Sequence, residues 1–202
     1  MWKFFLVLAL TAVPFWTPMA GAQSQAGLGY RVDLPEGWHA LDQQYIRSDA
    51  TLLPAAVENA DKGPWKSADK QMLGNVKEMV SSGDVDYYIN PDYPGSIISV
   101  TRTGGDLPAT KAEVTKLCQA LPDELSKMVG RSVQVYECRN EAVGSANALF
   151  VTADGYSEGS KSHLYEIQRA PGQILVFTAT CQDQSCAAMH EELTKFVRSV
   201  RF

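Results

Sequence analysis

The chain has 202 residues, 45% of them hydrophobic and 20% charged, and a formal net charge of −5. An acidic chain with interspersed signs offers no basic face to nucleic acid or to an anionic membrane surface. Its length supports one domain with a real core, so its four cysteines reinforce packing and do not replace it.

Residues 1–22 read as a signal peptide. Met1-Trp2-Lys3 supplies the positive start, Phe4 to Trp16 an apolar run, and Ala20-Gly21-Ala22 a small-x-small cleavage site. The expected mature chain, residues 23–202, is a single domain that works in the periplasm or is secreted. The leader carries no cysteine to receive a lipid, and no later apolar run is long enough to span a bilayer. Neither a lipid anchor nor a membrane span is therefore expected.

Residues 23–27 look like a loose N-terminus. Tyr30, Val32 and Leu34 alternate with Arg31 and Asp33, the pattern of a half-buried strand. Pro35-Glu36-Gly37 turns the chain into a second short strand from Trp38 to about Ile46. A short helix is expected over Asp49 to Asp61 and an amphipathic one over Ser67 to Val80, where Met72, Leu73, Val76, Met79 and Val80 share a stripe. Val85–Ile89 and Ile97–Arg102 are β-rich runs joined by a loop with two prolines and a glycine.

Thr110-x-x-Glu113 is a capping box and starts the next helix. Its apolar face runs from Val114 to Val129, Pro122 is expected to kink or split it, and Gly130 is placed to end it. Antiparallel strands follow over roughly 132–141, 146–153, 162–169 and 174–181. Cys186, Met189, Leu193, Phe196 and Val197 form a last helical stripe, with Val200 and Phe202 trailing as a docked tail. Hairpins separated by one-faced helices predict an α+β fold: an antiparallel sheet with helices packed on both faces.

The opening Tyr30-Arg31-Val32-Asp33-Leu34-Pro35-Glu36-Gly37-Trp38 and the closing Phe196-Val197-Arg198-Ser199-Val200-Arg201-Phe202 resemble the PsbP/Mog/DcrB-like group. That resemblance implies an α/β/α sandwich used as a protein-binding module, often exported or lumenal. It carries no shared catalytic residues.

Four cysteines allow three pairings. Proximity along the chain favours Cys118 with Cys138 and Cys181 with Cys186. The spacing C-x4-C is not the C-x-x-C of oxidoreductases, and no histidine stands at zinc-finger spacing. Structural disulfides are expected, with no metal and no cofactor. His39, His163 and His190 form no ligand pattern and are expected at surface or edge positions, His190 on the polar side of the last helix. Asp84, Asp86, Asn90 and Asp92 lack the glycine and glutamate of a calcium loop and read as polar positions flanking a hairpin.

Gly155-Tyr156-Ser157-Glu158-Gly159 matches the G-x-S-x-G of a nucleophile elbow, with Asp183 and His190 following in hydrolase order. An elbow needs strand, turn and helix, whereas Ser157 is followed by another strand pattern. Trp65 and Tyr93, on proline-stiffened loops, and Tyr88 on the neighbouring strand are better candidates, as aromatic anchors for a partner. The expected function is an exported, soluble, non-catalytic protein-binding module, an envelope accessory or an inhibitor of the immunity type, whose partner is another protein. The alternatives are a small serine hydrolase using Ser157 and a carrier of a small ligand or lipid.

Overall fold

The computed structural model describes residues 23–25, 28–41, 78–80, 82–90, 97–156, 158–182 and 185–202. The strands are β1 (Gln23–Gln25), β2 (Arg31–Asp33), β3 (His39–Leu41), β4 (Val85–Ile89), β5 (Ile97–Gly104), β6 (Val135–Val143), β7 (Ala146–Asp154), β8 (Ser160–Ala170) and β9 (Gln173–Gln182). Among the described residues two helices, α1 (Lys111–Val129) and α2 (Cys186–Ser199), interleave with them, and residues 78–80 are also helical. The expected helix over 49–61, most of that over 67–80 and the end of the strand towards Ile46 lie outside the described residues.

Seven strands form one sheet in the order β3-β4-β5-β9-β8-β7-β6. Every neighbouring pair is antiparallel. Alternation along the strands sorts the side chains into two cores. Ala148 and Phe150 of β7 pack with Leu175 and Phe177 of β9 and with Met189, Leu193, Phe196 and Val197 of α2. The intervening Leu149, Val151 and Ala153 pack with Ile174 and with Val114, Leu117, Leu121, Leu125 and Val129 of α1.

The N-terminal residues depart from expectation. Residues 23–25 are not loose but pair antiparallel with β2, Ser24 opposite Val32. This ribbon forms a second, two-stranded sheet and is tied to the C-terminus. The Arg31 and Arg201 backbones exchange two hydrogen bonds of 2.8 Å, and the Asp33 N–H donates to Ser199 Oγ at 3.0 Å. Val200 is buried by this docking, whereas Phe202 beyond it is exposed.

In α1 the capping box forms as read: the Glu113 N–H donates to Thr110 Oγ1 at 3.2 Å, and the Thr110 N–H to Glu113 Oε2 at 2.9 Å. Gly130 takes the left-handed conformation (φ 76°) that ends the helix. Pro122 does not split it; the helix runs unbroken through that position. Leu117 and Leu121 before Pro122 and Leu125 and Val129 after it pack into the same core, so both halves are held against the sheet. Cys118 of α1 is joined to Cys138 of β6, and Cys181 of β9 to Cys186 of α2, with Cα separations of 5.6 and 5.1 Å.

Candidate functional site

A cavity of about 350 Å³ lies between the β6–β7–β8 end of the sheet and the start of α2, lined by Tyr136, Glu137, Thr152, Lys161, His163, Cys186, Ala187 and His190. Strand register assembles its sheet side. Glu137 stands opposite Thr152, Thr152 opposite His163, and Lys161 opposite Cys181. Lys161 and His163, two residues apart on β8, share a face.

Tyr136 reaches this face through a bulge. The pairing passes from Val135↔Ala153 to Glu137↔Thr152, so Tyr136 is the extra residue in β6. Its hydroxyl donates to Asp154 Oδ1 at 2.7 Å, and Lys161 Nζ lies 4.9 Å from its ring centroid. The hydrogen bond from the Gln134 N–H and then that from Tyr136 hold the Asp154 carboxyl below its ordinary pKa. The tyrosine remains 45% exposed on the edge strand. Glu137 is ion-paired with Arg139, which also meets Glu141 at 3.2 Å.

The Cys181–Cys186 disulfide fixes where α2 begins relative to the sheet. His190, one turn into that helix, then sits over the sheet with its ring 5.1 Å from that of His163 and 5.2 Å from that of Phe150. His163 is only 7% exposed. Thr152 Oγ1 lies 3.2 Å from its Nδ1, the Cys186 backbone also draws on its ring, and the Nδ1 of His190 is buried without a hydrogen-bond partner among the described residues. Burial, then the neighbouring His190 and Lys161 charges, lower the His163 pKa from 6.5 to about 4, against the opposing pull of Glu137 and the Cys186 backbone. At neutral pH His163 is thus a neutral imidazole, suited to accepting a hydrogen bond or ligating a metal.

This placement corrects the expectation that His163 and His190 occupy surface or edge positions. The signal was present in the parity of β8: His163, Tyr165 and Ile167 alternate with half-buried residues and are themselves buried. His39 does lie exposed on the edge strand β3. Asp86 and Asn90, read as polar hairpin flanks, are both buried.

Tyr88 is not an exposed anchor. It is 1% exposed, its hydroxyl meets that of Tyr30 at 2.7 Å, and its ring packs edge-on against Phe196. Alternation on β4 leaves Tyr87, not Tyr88, partly accessible. Trp65, Tyr93, Ser157 and Asp183 lie outside the described residues. The strands on either side of Ser157 are hairpin partners, since β7 and β8 pair antiparallel up to Asp154↔Lys161. No helix follows that turn, as an elbow would require.

Among the described residues, one group has the donors for a metal: His163, Cys181 and Cys186, whose ligand atoms lie within 4.8 Å of one another. With the two sulfurs joined, they have no thiolate to offer. No described helix is long and apolar enough to cross a membrane.

The backbone arrangement is similar to the solution structure of cyanobacterial PsbP (CyanoP) from Synechocystis sp. PCC 6803, with a TM-score of 0.51 at 10% identity, over 95% of this chain and 98% of that one. The fold is PsbP-like. A crystal structure from Bacteroides thetaiotaomicron VPI-5482 matches with a TM-score of 0.46 at 12% identity, over 91% of this chain and 48% of that one. The immunity protein TplEi of the T6SS from Pseudomonas aeruginosa, complexed with "L" peptide, also gives 0.46, at 13% identity over 91% of this chain and 98% of that one. No protein-family model and no curated protein sequence matches the chain. The PsbP-like assignment therefore rests on backbone geometry.

Proposed function

We propose that this PsbP-like chain is an exported, non-catalytic protein-binding module built as an α/β/α sandwich. The two cores support the sandwich: consecutive β7 residues alternate between packing with α2 and packing with α1. Export is supported by the leader pattern of residues 1–22 and by two disulfides, which persist in oxidising compartments. The non-catalytic reading is supported by the hairpin context of Ser157 and by a His163 whose pKa of about 4 makes it a weak base at neutral pH.

The observation that carries the binding reading is Tyr136. A bulge aims this half-exposed aromatic from an edge strand to the rim of a cavity, and bulges re-aim side chains in this way beside functional sites. A rigid aromatic loses little conformational entropy on contact, which suits it to anchor a partner. Trp65 and Tyr93 keep the anchoring role that their proline-stiffened sequence context gives them.

The test places a photo-crosslinking side chain at position 136 and, as a control, at the exposed Thr115 of α1. A discrete adduct at 136 alone, and binding weakened about tenfold by Tyr136→Ala, are the expected results. Identical adducts at both positions would reject this surface. Fluorophosphonate labelling that is lost in Ser157→Ala would instead establish the hydrolase.

A small polar ligand is the second reading, favoured by the cavity's volume, which falls in the range of small-molecule sites. Its lining of two histidines, a lysine and a glutamate suits a polar molecule better than a lipid chain. Native mass spectrometry of the purified protein would show a retained mass.

A further inference from the structure

We propose that Cys181 and Cys186, once reduced, form with His163 a site for one thiophilic closed-shell cation, Zn²⁺ or Cu⁺. The inference is independent of partner binding and rests on the three donors that the fold brings together. Their ligand atoms lie within 4.8 Å of one another. A bound ion with metal–sulfur and metal–nitrogen distances of about 2.3 and 2.0 Å places such donors roughly 3.5–3.8 Å apart. Opening the disulfide therefore requires only a local adjustment to reach that spacing.

Each donor is on a regular element. Cys181 is on β9, His163 on β8, and Cys186 is the first residue of α2. The helix N-terminus stabilises a thiolate at Cys186. His163 is oriented before any ion arrives: Thr152 Oγ1 lies 3.2 Å from Nδ1, and the Cys186 backbone, beside one of the two sulfurs, also draws on the ring. A metal-bound histidine characteristically donates its second N–H to an outer oxygen, and the Thr152 hydroxyl is placed to accept from Nδ1.

The surroundings fit the charge. Two thiolates and a neutral imidazole make a neutral complex with Zn²⁺ and an anionic one with Cu⁺, so neither adds positive charge beside Lys161. Three donors suffice for Cu⁺. For Zn²⁺ a solvent molecule entering through the cavity completes the four-coordinate shell. The cavity reaches both Cys186 and His163 and provides the entry path.

The chemistry balances with a dithiol reductant. The reductant passes two electrons and two protons to the Cys181–Cys186 bond, closes to its own cyclic disulfide, and leaves two thiols. The cation then displaces both thiol protons to solvent without changing oxidation state. Oxidised protein has no site, and reduced protein has one.

The experiment uses the full chain, oxidised or reduced anaerobically with a dithiol that is then removed. Zn²⁺ and, in a separate arm, Cu⁺ are titrated in competition with a chromophoric chelator. One equivalent retained by the reduced chain and none by the oxidised chain is expected in at least one arm. His163→Gln should lower that affinity at least tenfold, and Thr152→Val by about tenfold. Cys118→Ser/Cys138→Ser should leave it unchanged. Equal binding by the oxidised chain, no binding in either arm, or full affinity in His163→Gln would overturn the proposal. Should His163→Gln fail to fold, Co²⁺ bound to the reduced wild-type chain reads the ligands directly. Sulfur-to-cobalt charge-transfer bands with tetrahedral d–d intensity support the site, and an oxygen-ligand spectrum refutes it.

Discussion

Tyr30 and Tyr88 meet hydroxyl to hydroxyl at 2.7 Å in the core, 58 residues apart in sequence. Tyr30 leads into β2 and packs edge-on against Phe177, while Tyr88 on β4 packs edge-on against Phe196. Burial, with the neighbouring Tyr88 and Asp86, raises the Tyr30 phenol well above its ordinary pKa, so it stays a neutral hydrogen-bonding group. This contact joins the N-terminal ribbon to the main sheet beneath α2.

Tyr88→Phe should therefore cost about 1 kcal/mol, the net worth of one hydrogen bond. Tyr88→Ala should cost about 3–5 kcal/mol through the cavity it leaves. Neither should alter partner capture per molecule of folded protein. Urea unfolding gives the first quantity, and crosslinking yield at position 136, normalised to folded protein, gives the second. Unchanged stability with lost capture would return Tyr88 to the surface.

Acid should weaken the fold through His163. The unfolded chain protonates this side chain near 6.5, whereas the folded chain holds it neutral down to about 4. The contribution is thus fully present above about pH 6.5 and is lost progressively as pH falls towards 4. The gap corresponds to roughly 3 kcal/mol, which solvent reaching the site through the cavity reduces to about 1–2 kcal/mol. Carboxylates also titrate at the lower end of this range, so the comparison must be with His163→Gln. The loss of stability between pH 7 and 4.5 should be smaller in that variant by about 1–2 kcal/mol. An equal loss in both proteins would show that His163 is hydrated in the folded state.

Much of the fold was legible because its signals are local. The capping box at Thr110, the stripe from Met189 to Val197 and the alternation in β7–β9 each depend on residues within a few positions of one another. The pairing of Gln23–Gln25 with β2 was not legible, because those polar residues gain their structure from backbone hydrogen bonds to a ribbon docked on the C-terminus. The cavity was hidden for a similar reason. Its donors come from β6, β7, β8 and α2, and the bulge at Tyr136 that turns one wall inward has no distinctive sequence. Searches for C-x-x-C or paired histidines miss a histidine that reaches Cys181 and Cys186 from a neighbouring strand.

Gly155 should tolerate no side chain. A Cβ there would lie 2.3 Å from Ser160 Oγ, and the Gly155 N–H already donates to the Ser160 carbonyl at 2.8 Å. Its own carbonyl accepts from Arg131 Nη2. Gly155→Ala should destabilise by about 1–3 kcal/mol, whereas Ser157→Ala should leave stability unchanged within about 0.5 kcal/mol. Thermal unfolding of the two variants decides this. The reverse order would mean that the glycines serve the serine and not the hairpin.

The two disulfides should differ in both size and kind of effect. Cys118–Cys138 closes a separation of 20 residues and Cys181–Cys186 one of 5. On the loop-entropy estimate, Cys118→Ser/Cys138→Ser should cost about 3 kcal/mol and Cys181→Ser/Cys186→Ser about 2 kcal/mol. The first bond ties α1 to the edge strand β6, so its loss should raise amide exchange along α1 while the α2 core stays protected. The second fixes the start of α2 over His163, so its loss should raise exchange in the first turn of α2 and let His163 titrate closer to 6.5. Urea unfolding, amide exchange and histidine titration by NMR measure the three effects. An unmoved His163 in Cys181→Ser/Cys186→Ser would show that β8 packing alone, without the disulfide, keeps it dry.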